Sequence, residues 1–247
     1  DIPALAELAH AAQIPLIVDA TLATPALTRP LTLGADIVIH SLTKVIGASG
    51  LAVGGVLIAQ RNLTSRVLAE SYRTDYDTQV KLLPAGDFGP ALSPLSALFL
   101  INDLRTLRSR INILSQRAGK VVEFLTSHPA VESVWYPGLA SHPGHNVAAK
   151  IMALVDSETP ATPAQPRYGH LIGFTIKNGS EAARRVLDRF QLIWRATDLG
   201  RIKTVATIPA ISTHQQQGDK GRALSAIPDT LIRLSVGAES VDDVIAD

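Results

Sequence analysis

Residues 14–50 read IPLIVDATLATPALTRPLTLGADIVIHSLTKVIGASG. Two short apolar runs stand out, 14–19 (IPLIVD) and 36–40 (DIVIH), each closed by a polar group. Runs of this length, rich in Ile and Val and flanked by Pro and Gly, have the look of buried parallel strands. A third run of the same kind is 53–58 (VGGVLI). In an open α/β sheet, ligands gather beyond the carboxyl ends of the strands. The first strand delivers Asp19 to that edge, followed by Thr21. The second delivers His40, then Ser41, Thr43 and Lys44. If the two strands are parallel neighbours, Asp19 and Lys44 emerge on one rim, and the stretch between them is long enough for a crossover.

Outward from this stretch, residues 3–12 (PALAELAHAA) are predicted as an amphipathic helix with Leu5, Leu8 and Ala12 on one face. Helices are also predicted around 62–71 and across 93–127, the latter carrying Leu98, Ile101, Leu104, Leu107, Ile111 and Leu114 as one stripe that could bridge two lobes. Beyond it the alternation is on a smaller scale: strands at 131–136 and 170–177, helices at 143–154 and 180–190. The proline-rich segment 155–168 is read as an exposed loop. The end of the chain, 231–247, reads as a strand (LIRLSVG) followed by a helix beginning near Glu239 and Ser240. The division predicted is part of a large domain at 1–109 and a small C-terminal α+β domain at 110–247.

Composition narrows the function classes. The 247 residues are 46% hydrophobic, enough for a sizeable core. Lys+Arg total 23 against 22 Asp+Glu, so no electrostatic reason exists to expect nucleic acid or an anionic membrane as a partner. There is no cysteine, hence no disulfide frame and no thiolate metal site, which fits a reducing, cytoplasmic setting. No apolar run approaches the ~20 residues that cross a bilayer. The chain opens on Asp1 and holds one methionine, Met152, so it reads as a piece of a longer polypeptide.

A carboxylate, hydroxyls and a lysine on one rim suit pyridoxal 5'-phosphate (PLP). Its aldehyde links covalently to a lysine amine, its pyridine nitrogen is kept protonated by a carboxylate, and its phosphate takes hydroxyl donors. The residues alone leave other readings open: a strand-end Asp often caps a turn, and a lysine near glycines is often solvated. A metal site is not expected, since His128, His142, His145 and His214 lack ligand spacing.

The wording of residues 14–50 resembles the cofactor segment of the Cys/Met-metabolism PLP enzymes, the cystathionine γ-synthase and O-acetylhomoserine sulfhydrylase group. That family shows VDNT-x-A-TP and then RP-x-x-x-GAD-x-V-x-HS-x-TK-x-x-x-G. The resemblance continues through FGPALSPLSALFLINDLRTLRSRI (88–111), HPAVESVWYPGLASHPGH (128–145), IPAISTH (208–214) and LIRLSVGAESVDDVIAD (231–247). It implies the fold type I architecture of PLP-dependent transferases: a partial large domain with a mostly parallel sheet, plus a smaller C-terminal α+β domain. It further implies that Lys44 binds the cofactor and moves protons, that Asp19 pairs with the pyridine nitrogen, and that Thr21 lies near the ring. Ser41 and Thr43 would contact the phosphate, and Arg233 would hold the substrate α-carboxylate as a bidentate fork. The substrate would be a small amino acid, and the intact protein a homo-oligomer, a dimer of dimers. Relatives also carry an N-terminal portion that supplies the rest of the cofactor pocket.

Several positions depart from the pattern. Ala20 stands where Asn is usual, Leu22 and Val45 where aromatics are usual, Ala48-Ser49 where Gly-His is usual, and Ile208 where His is usual. Asp198 replaces a Ser or Asn that helps hold the substrate carboxylate, and a second anion there would repel it. Three functions therefore stay open: γ-replacement on an activated homoserine ester; a β- or γ-lyase or specialised-pathway γ-replacement; and a truncated, non-catalytic paralogue.

Overall fold

The computed structural model describes residues 1–156 and 164–247. Residues 157–163, within the predicted loop 155–168, lie outside the described residues. The chain divides into two compact units, Asp1–Arg105 and Thr106–Asp247.

The first unit contains α1 (Ile2–Ala11), β1 (Ile17–Asp19), α2 (Thr24–Leu27), β2 (Ile37–Ser41), β3 (Gly55–Ala59), α3 (Glu70–Thr74), α4 (Tyr76–Val80), α5 (Gly86–Phe88) and α6 (Pro94–Leu104). Its sheet has the order β1-β2-β3. Strands β1 and β2 are parallel, with Asp19 opposite Ile39. The stretch between them acts as a crossover built from α2 and the turn Pro30–Leu33. The third strand departs from expectation, running antiparallel to β2 with Ser41 opposite Gly55. The reason is the link: after Ser41 the chain is spent in a wide turn, Leu42–Ile46, and a loop, with no crossover helix to return it in the parallel sense. The sheet is thus mixed where a mostly parallel one is implied.

Burial also corrects the sequence reading. Ile17 is 52%, Ile39 38% and Leu57 37% exposed, so the sheet face they share stays open at these positions, while Ile37 on the same face is buried. On α1 the helix packs through Ala6, which meets Gly34, while Leu5 and Leu8 point outward. Asp36, at the entry to β2, is buried. Its carboxylate accepts hydrogen bonds from the backbone N–H groups of Leu16 (2.8 Å) and Thr64 (3.3 Å) and lies 2.8 Å from His10 Nε2, which pins the start of both strands.

The predicted long helix 93–127 is two helices, α6 and α7 (Leu107–Ser127), broken at Arg105 and Thr106. Its stripe splits accordingly. Leu98, Ile101 and Leu104 are exposed, whereas Leu107, Ile111 and Leu114 are buried in the second unit. Leu100, one position off the predicted stripe, is the buried residue of α6.

The second unit continues with β4 (Val131–Trp135), α8 (His145–Ile151), β5 (Leu171–Ile176), α9 (Gly179–Arg189), β6 (Trp194–Arg195), β7 (Val205–Thr207), α10 (Gly218–Leu224), β8 (Leu231–Ser235) and α11 (Val241–Ala246). Its sheet order is β4-β5-β8-β7-β6, antiparallel except for the β6–β7 pair. Alternate residues of the central strands, Ile172 and Phe174 on β5 with Ile232 and Leu234 on β8, are buried against α7 residues Ala118, Val121, Val122 and Leu125 and against Ala183 and Leu187 of α9. Each such aliphatic side chain contributes about 1.5–3 kcal/mol.

His170, just before β5, is 1% exposed, and neither ring nitrogen has a hydrogen-bond partner among the described residues. Burial pushes its pKa down to about 4. Because the folded value lies below the unfolded one of about 6.5, its contribution to stability is intact above pH 6.5 and is lost as pH falls toward 4. The loss approaches about 3 kcal/mol. Urea unfolding at pH 7 and pH 4.5 should show this acid sensitivity in the wild type, and His170→Leu should remove that share of it. Equal acid sensitivity in both proteins would contradict this account of His170.

Candidate active site

The carboxyl ends of β1 and β2 carry the residues singled out by the sequence. Beyond β1 the chain turns sharply. The Thr21 N–H donates to Asp19 Oδ1 (2.9 Å), the Ala20 N–H to the Ile39 carbonyl (3.0 Å) and the Thr24 N–H to the Ala20 carbonyl (2.9 Å). The Thr21 hydroxyl oxygen accepts the Ser41 N–H at 2.8 Å, which stitches the end of β1 to the end of β2. Asp19, Thr21 and Ser41 therefore share one sheet edge as one hydrogen-bonded unit.

Lys44 lies three residues further on, inside the Leu42–Ile46 turn, where its backbone leaves helical geometry (φ −89°, ψ −126°). The turn is held from three sides. The Leu42 and Thr43 N–H groups donate to the Gly54 carbonyl (2.9 and 3.3 Å), and the Gly47 N–H donates to the Leu42 carbonyl (2.7 Å). Ser49 binds Asp103 Oδ2 of α6 through both its hydroxyl (2.5 Å) and its N–H (3.2 Å). Gly47 has no room for a Cβ, which would run into the Leu42 carbonyl oxygen and come within 2.7 Å of Leu100. Val45 and Ile46 are buried beneath, so the lysine stands on an anchored loop and is itself half-buried.

Thr43 behaves differently from Ser41. Its hydroxyl donates to the Gly54 carbonyl (3.3 Å) and accepts the Gly54 N–H (3.1 Å), so its proton is committed to closing the loop. As a phosphate ligand it can act only after rotating away from Gly54. Ser41 is the better placed hydroxyl donor of the two.

The sequence reading placed His40 at this edge without giving it a role. His40 is 3% exposed and precedes Ser41 on β2. Burial lowers its pKa, while a hydrogen bond to the Ala20 backbone and the Asp19 carboxylate raise it. The available signal was a polar residue inside an apolar strand, where a partner is obligatory.

Arg233 belongs to the second unit, on β8 between Gly173 of β5 and Thr207 of β7. It is half-buried, and its Nη2 donates to the Thr197 carbonyl at 2.6 Å. Burial lowers the guanidinium pKa and the neighbouring Asp198 carboxylate raises it. Asp198 in turn accepts the Leu199 N–H at 2.9 Å and is paired with Arg201 Nε. The anion expected to repel a substrate carboxylate is therefore shared with a second guanidinium, which lowers its cost to a ligand at Arg233. No group of three or more His, Cys, Asp or Glu side chains suited to a metal occurs among the described residues.

The profile of the family described as "Cys/Met metabolism PLP-dependent enzyme" matches residues 1–247. The chain belongs to this family. An L-methionine gamma-lyase of Fusobacterium nucleatum subsp. polymorphum is 38% identical over 249 residues, covering 100% of this chain and 56% of that protein. An O-succinylhomoserine sulfhydrylase of Pseudomonas aeruginosa is 38% identical over 247 residues, covering 100% of this chain and 55% of that protein. Among solved structures, the cystathionine gamma synthase of Xanthomonas oryzae pv. oryzae in complex with aminoacrylate and cysteine superposes with a TM-score of 0.86 at 32% identity, covering 100% of this chain and 57% of its own. A Campylobacter jejuni structure carrying N'-pyridoxyl-lysine-5'-monophosphate gives 0.85 at 33% identity, covering 100% of this chain and 61% of its own. The chain thus spans little more than half the length of these relatives. Family membership makes PLP the cofactor, and the donor set fits it: a lysine, a carboxylate oriented by a backbone N–H, and the Ser41 hydroxyl stand at the carboxyl ends of two adjacent parallel strands. No helix among the described residues is long and apolar enough to cross a membrane.

Proposed function

We propose that the protein catalyses PLP-dependent γ-replacement on an activated homoserine ester, of the O-acetylhomoserine sulfhydrylase or cystathionine γ-synthase type. The observation that carries this reading is that Asp19 closes β1 and the Lys44 turn follows the end of β2, its parallel neighbour, so both stand at one edge of the sheet. When bound, PLP draws electron density from the substrate Cα into its ring. The chain's own residues supply the rest. Lys44 would hold the cofactor, and its amine, when free, would take the Cα proton and then a Cβ proton of the substrate. Asp19, fixed by the Thr21 N–H, keeps the pyridine nitrogen protonated. Ser41 donates to the phosphate, with Thr21 beside the ring and Thr43 securing the loop. Arg233 orients the α-carboxylate, with Arg201 drawing part of the Asp198 charge away from it. In net terms the Cγ–O bond breaks, the acid of the ester leaves, and a Cγ–S bond forms from sulfide or a thiol. Assembly as a homo-oligomer, a dimer of dimers that shares active sites, belongs to the same reading.

A lyase is the second reading, because several of the relatives are L-methionine gamma-lyases. A substrate panel separates the two. With an O-acyl-homoserine and sulfide, the thiol amino acid should form at least about tenfold faster than 2-oxo acid and ammonia form from methionine. The reverse ratio would assign the protein to γ-elimination.

A further inference from the structure

We propose that Thr24 is a positioning residue for Asp19, holding the Ala20–Thr21 peptide so that its N–H aims the carboxylate; this rests on reading the β1–β2 edge as the PLP site. The peptide unit that joins Ala20 to Thr21 carries a hydrogen bond at each end. Its carbonyl accepts the Thr24 N–H at 2.9 Å, and its N–H donates to Asp19 Oδ1, also at 2.9 Å. A trans peptide is planar, with its C=O and N–H pointing in opposite directions. Whatever turns the Ala20 carbonyl therefore turns the Thr21 N–H with it, and the Thr24 N–H is the far end of a lever that orients Asp19. On the same segment, Thr21 Oγ1 accepts the Ser41 N–H at 2.8 Å and ties the lever to β2.

To present its N–H there, Thr24 adopts a left-handed backbone, φ +59°. Pro25, next in the chain, disfavours the right-handed region at this position. A glycine would take a positive φ freely, but a β-branched residue is strained by it. Among the described residues other than glycine with positive φ, Thr24 is the β-branched one, and it is fully buried. Strain of this kind persists only where the surroundings over-determine it, and it gathers at working sites. Here the holding contacts are local. Thr24 Oγ1 accepts the Ala26 N–H (3.3 Å), and the Thr24 carbonyl accepts the Thr28 N–H (3.1 Å). The hydroxyl is thus the part of the side chain that keeps the backbone left-handed, and through it the Asp19 carboxylate aimed.

The test uses the full-length protein with Thr24→Val, which keeps the branched shape without the hydroxyl, and Thr24→Ser, which keeps the hydroxyl. Expected for Thr24→Val are a roughly tenfold larger PLP dissociation constant and roughly tenfold faster exchange of the Thr21 amide in the cofactor-free protein. The 15N resonance of isotope-labelled PLP should also move toward its position in Asp19→Asn. Thr24→Ser should keep all three close to wild type. A purely space-filling role would reverse this order, with Val tolerated and Ser not, and that result, or equal impairment of the two, would overturn the proposal. If Thr24→Val does not fold, Thr24→Ser is set against Thr24→Ala, which differs from it by the hydroxyl alone; equal behaviour of that pair would overturn it as well. Wild-type protein that takes up no PLP overturns both this proposal and the cofactor reading. PLP bound to Thr24→Val with the wild-type affinity and resonance overturns this one alone.

Discussion

Replacing Lys44 by alanine should abolish the visible absorbance of the lysine-bound cofactor and lower turnover by at least about a thousandfold. Two separate functions are lost at once. The covalent anchor goes, so PLP is held only by Asp19, the hydroxyls and whatever contacts the phosphate. The proton shuttle goes too, and a positioned acid–base group alone is commonly worth 10²- to 10⁴-fold, an order-of-magnitude range. The surrounding loop should survive the change, since Gly47, Leu100 and the Gly54 hydrogen bonds set its course without the lysine side chain. Spectra and steady-state rates on the full-length protein check this. Turnover within tenfold of wild type would remove Lys44 from the chemistry.

The second large effect is on stability. In Gly237→Ala the new Cβ would run into Glu239 Oε2 and stand 2.5 Å from both the Ile202 carbonyl oxygen and the Thr204 nitrogen. Two of those three atoms are backbone and cannot swing aside. The Glu239 carboxylate is itself engaged, accepting from the Thr204 N–H (2.8 Å) and hydroxyl (2.7 Å), while the Gly237 N–H donates to Thr204 Oγ1 at 2.9 Å. Overpacking of this kind costs about 3 kcal/mol or more, or roughly 10 °C in Tm for a unit of this size. Gly119→Ala in α7 provides the contrast. Nothing lies within 4 Å of its added Cβ, and alanine is the better helix former, so the change should be neutral or stabilising by up to about 1 kcal/mol. Thermal unfolding of the pair checks both. Similar melting temperatures for the two variants would contradict the packing described around Thr204 and Glu239. The crowded segment also follows directly on the Asp198–Arg201 pair.

The gathering of polar residues at the sheet edge was legible because it is written at the ends of two apolar runs. A parallel strand must end somewhere, and Asp19, Thr21, Ser41, Thr43 and Lys44 are the polar groups at the ends of two apolar runs. The direction of β3 was not legible, because 53–58 is as apolar as its neighbours and direction is set by the link that precedes it. The break between α6 and α7 was hidden for a similar reason. The apolar spacing of Leu98, Ile101, Leu104 and Leu107 continues across Arg105 and Thr106, and only packing in three dimensions separates Leu104, exposed, from Leu107, buried. On α1 the periodicity marked Leu5 and Leu8, yet the small Ala6 makes the close approach to Gly34. The commitment of the Thr43 hydroxyl to Gly54 depends on a partner 11 residues away, and the pairing of Asp198 with Arg201 depends on a local turn. Spacing alone shows neither.

The most direct test of the central claim is chemical. Full-length protein loaded with PLP is reduced with borohydride, digested and mapped by mass spectrometry, first as wild type and then as Asp19→Asn. A pyridoxyl group on the Lys44 peptide, with loading weakened in the Asp19 variant, is the predicted result. A pyridoxyl group on any other lysine, or none on Lys44 under saturating PLP, would contradict the assignment of the β1–β2 edge as the cofactor site.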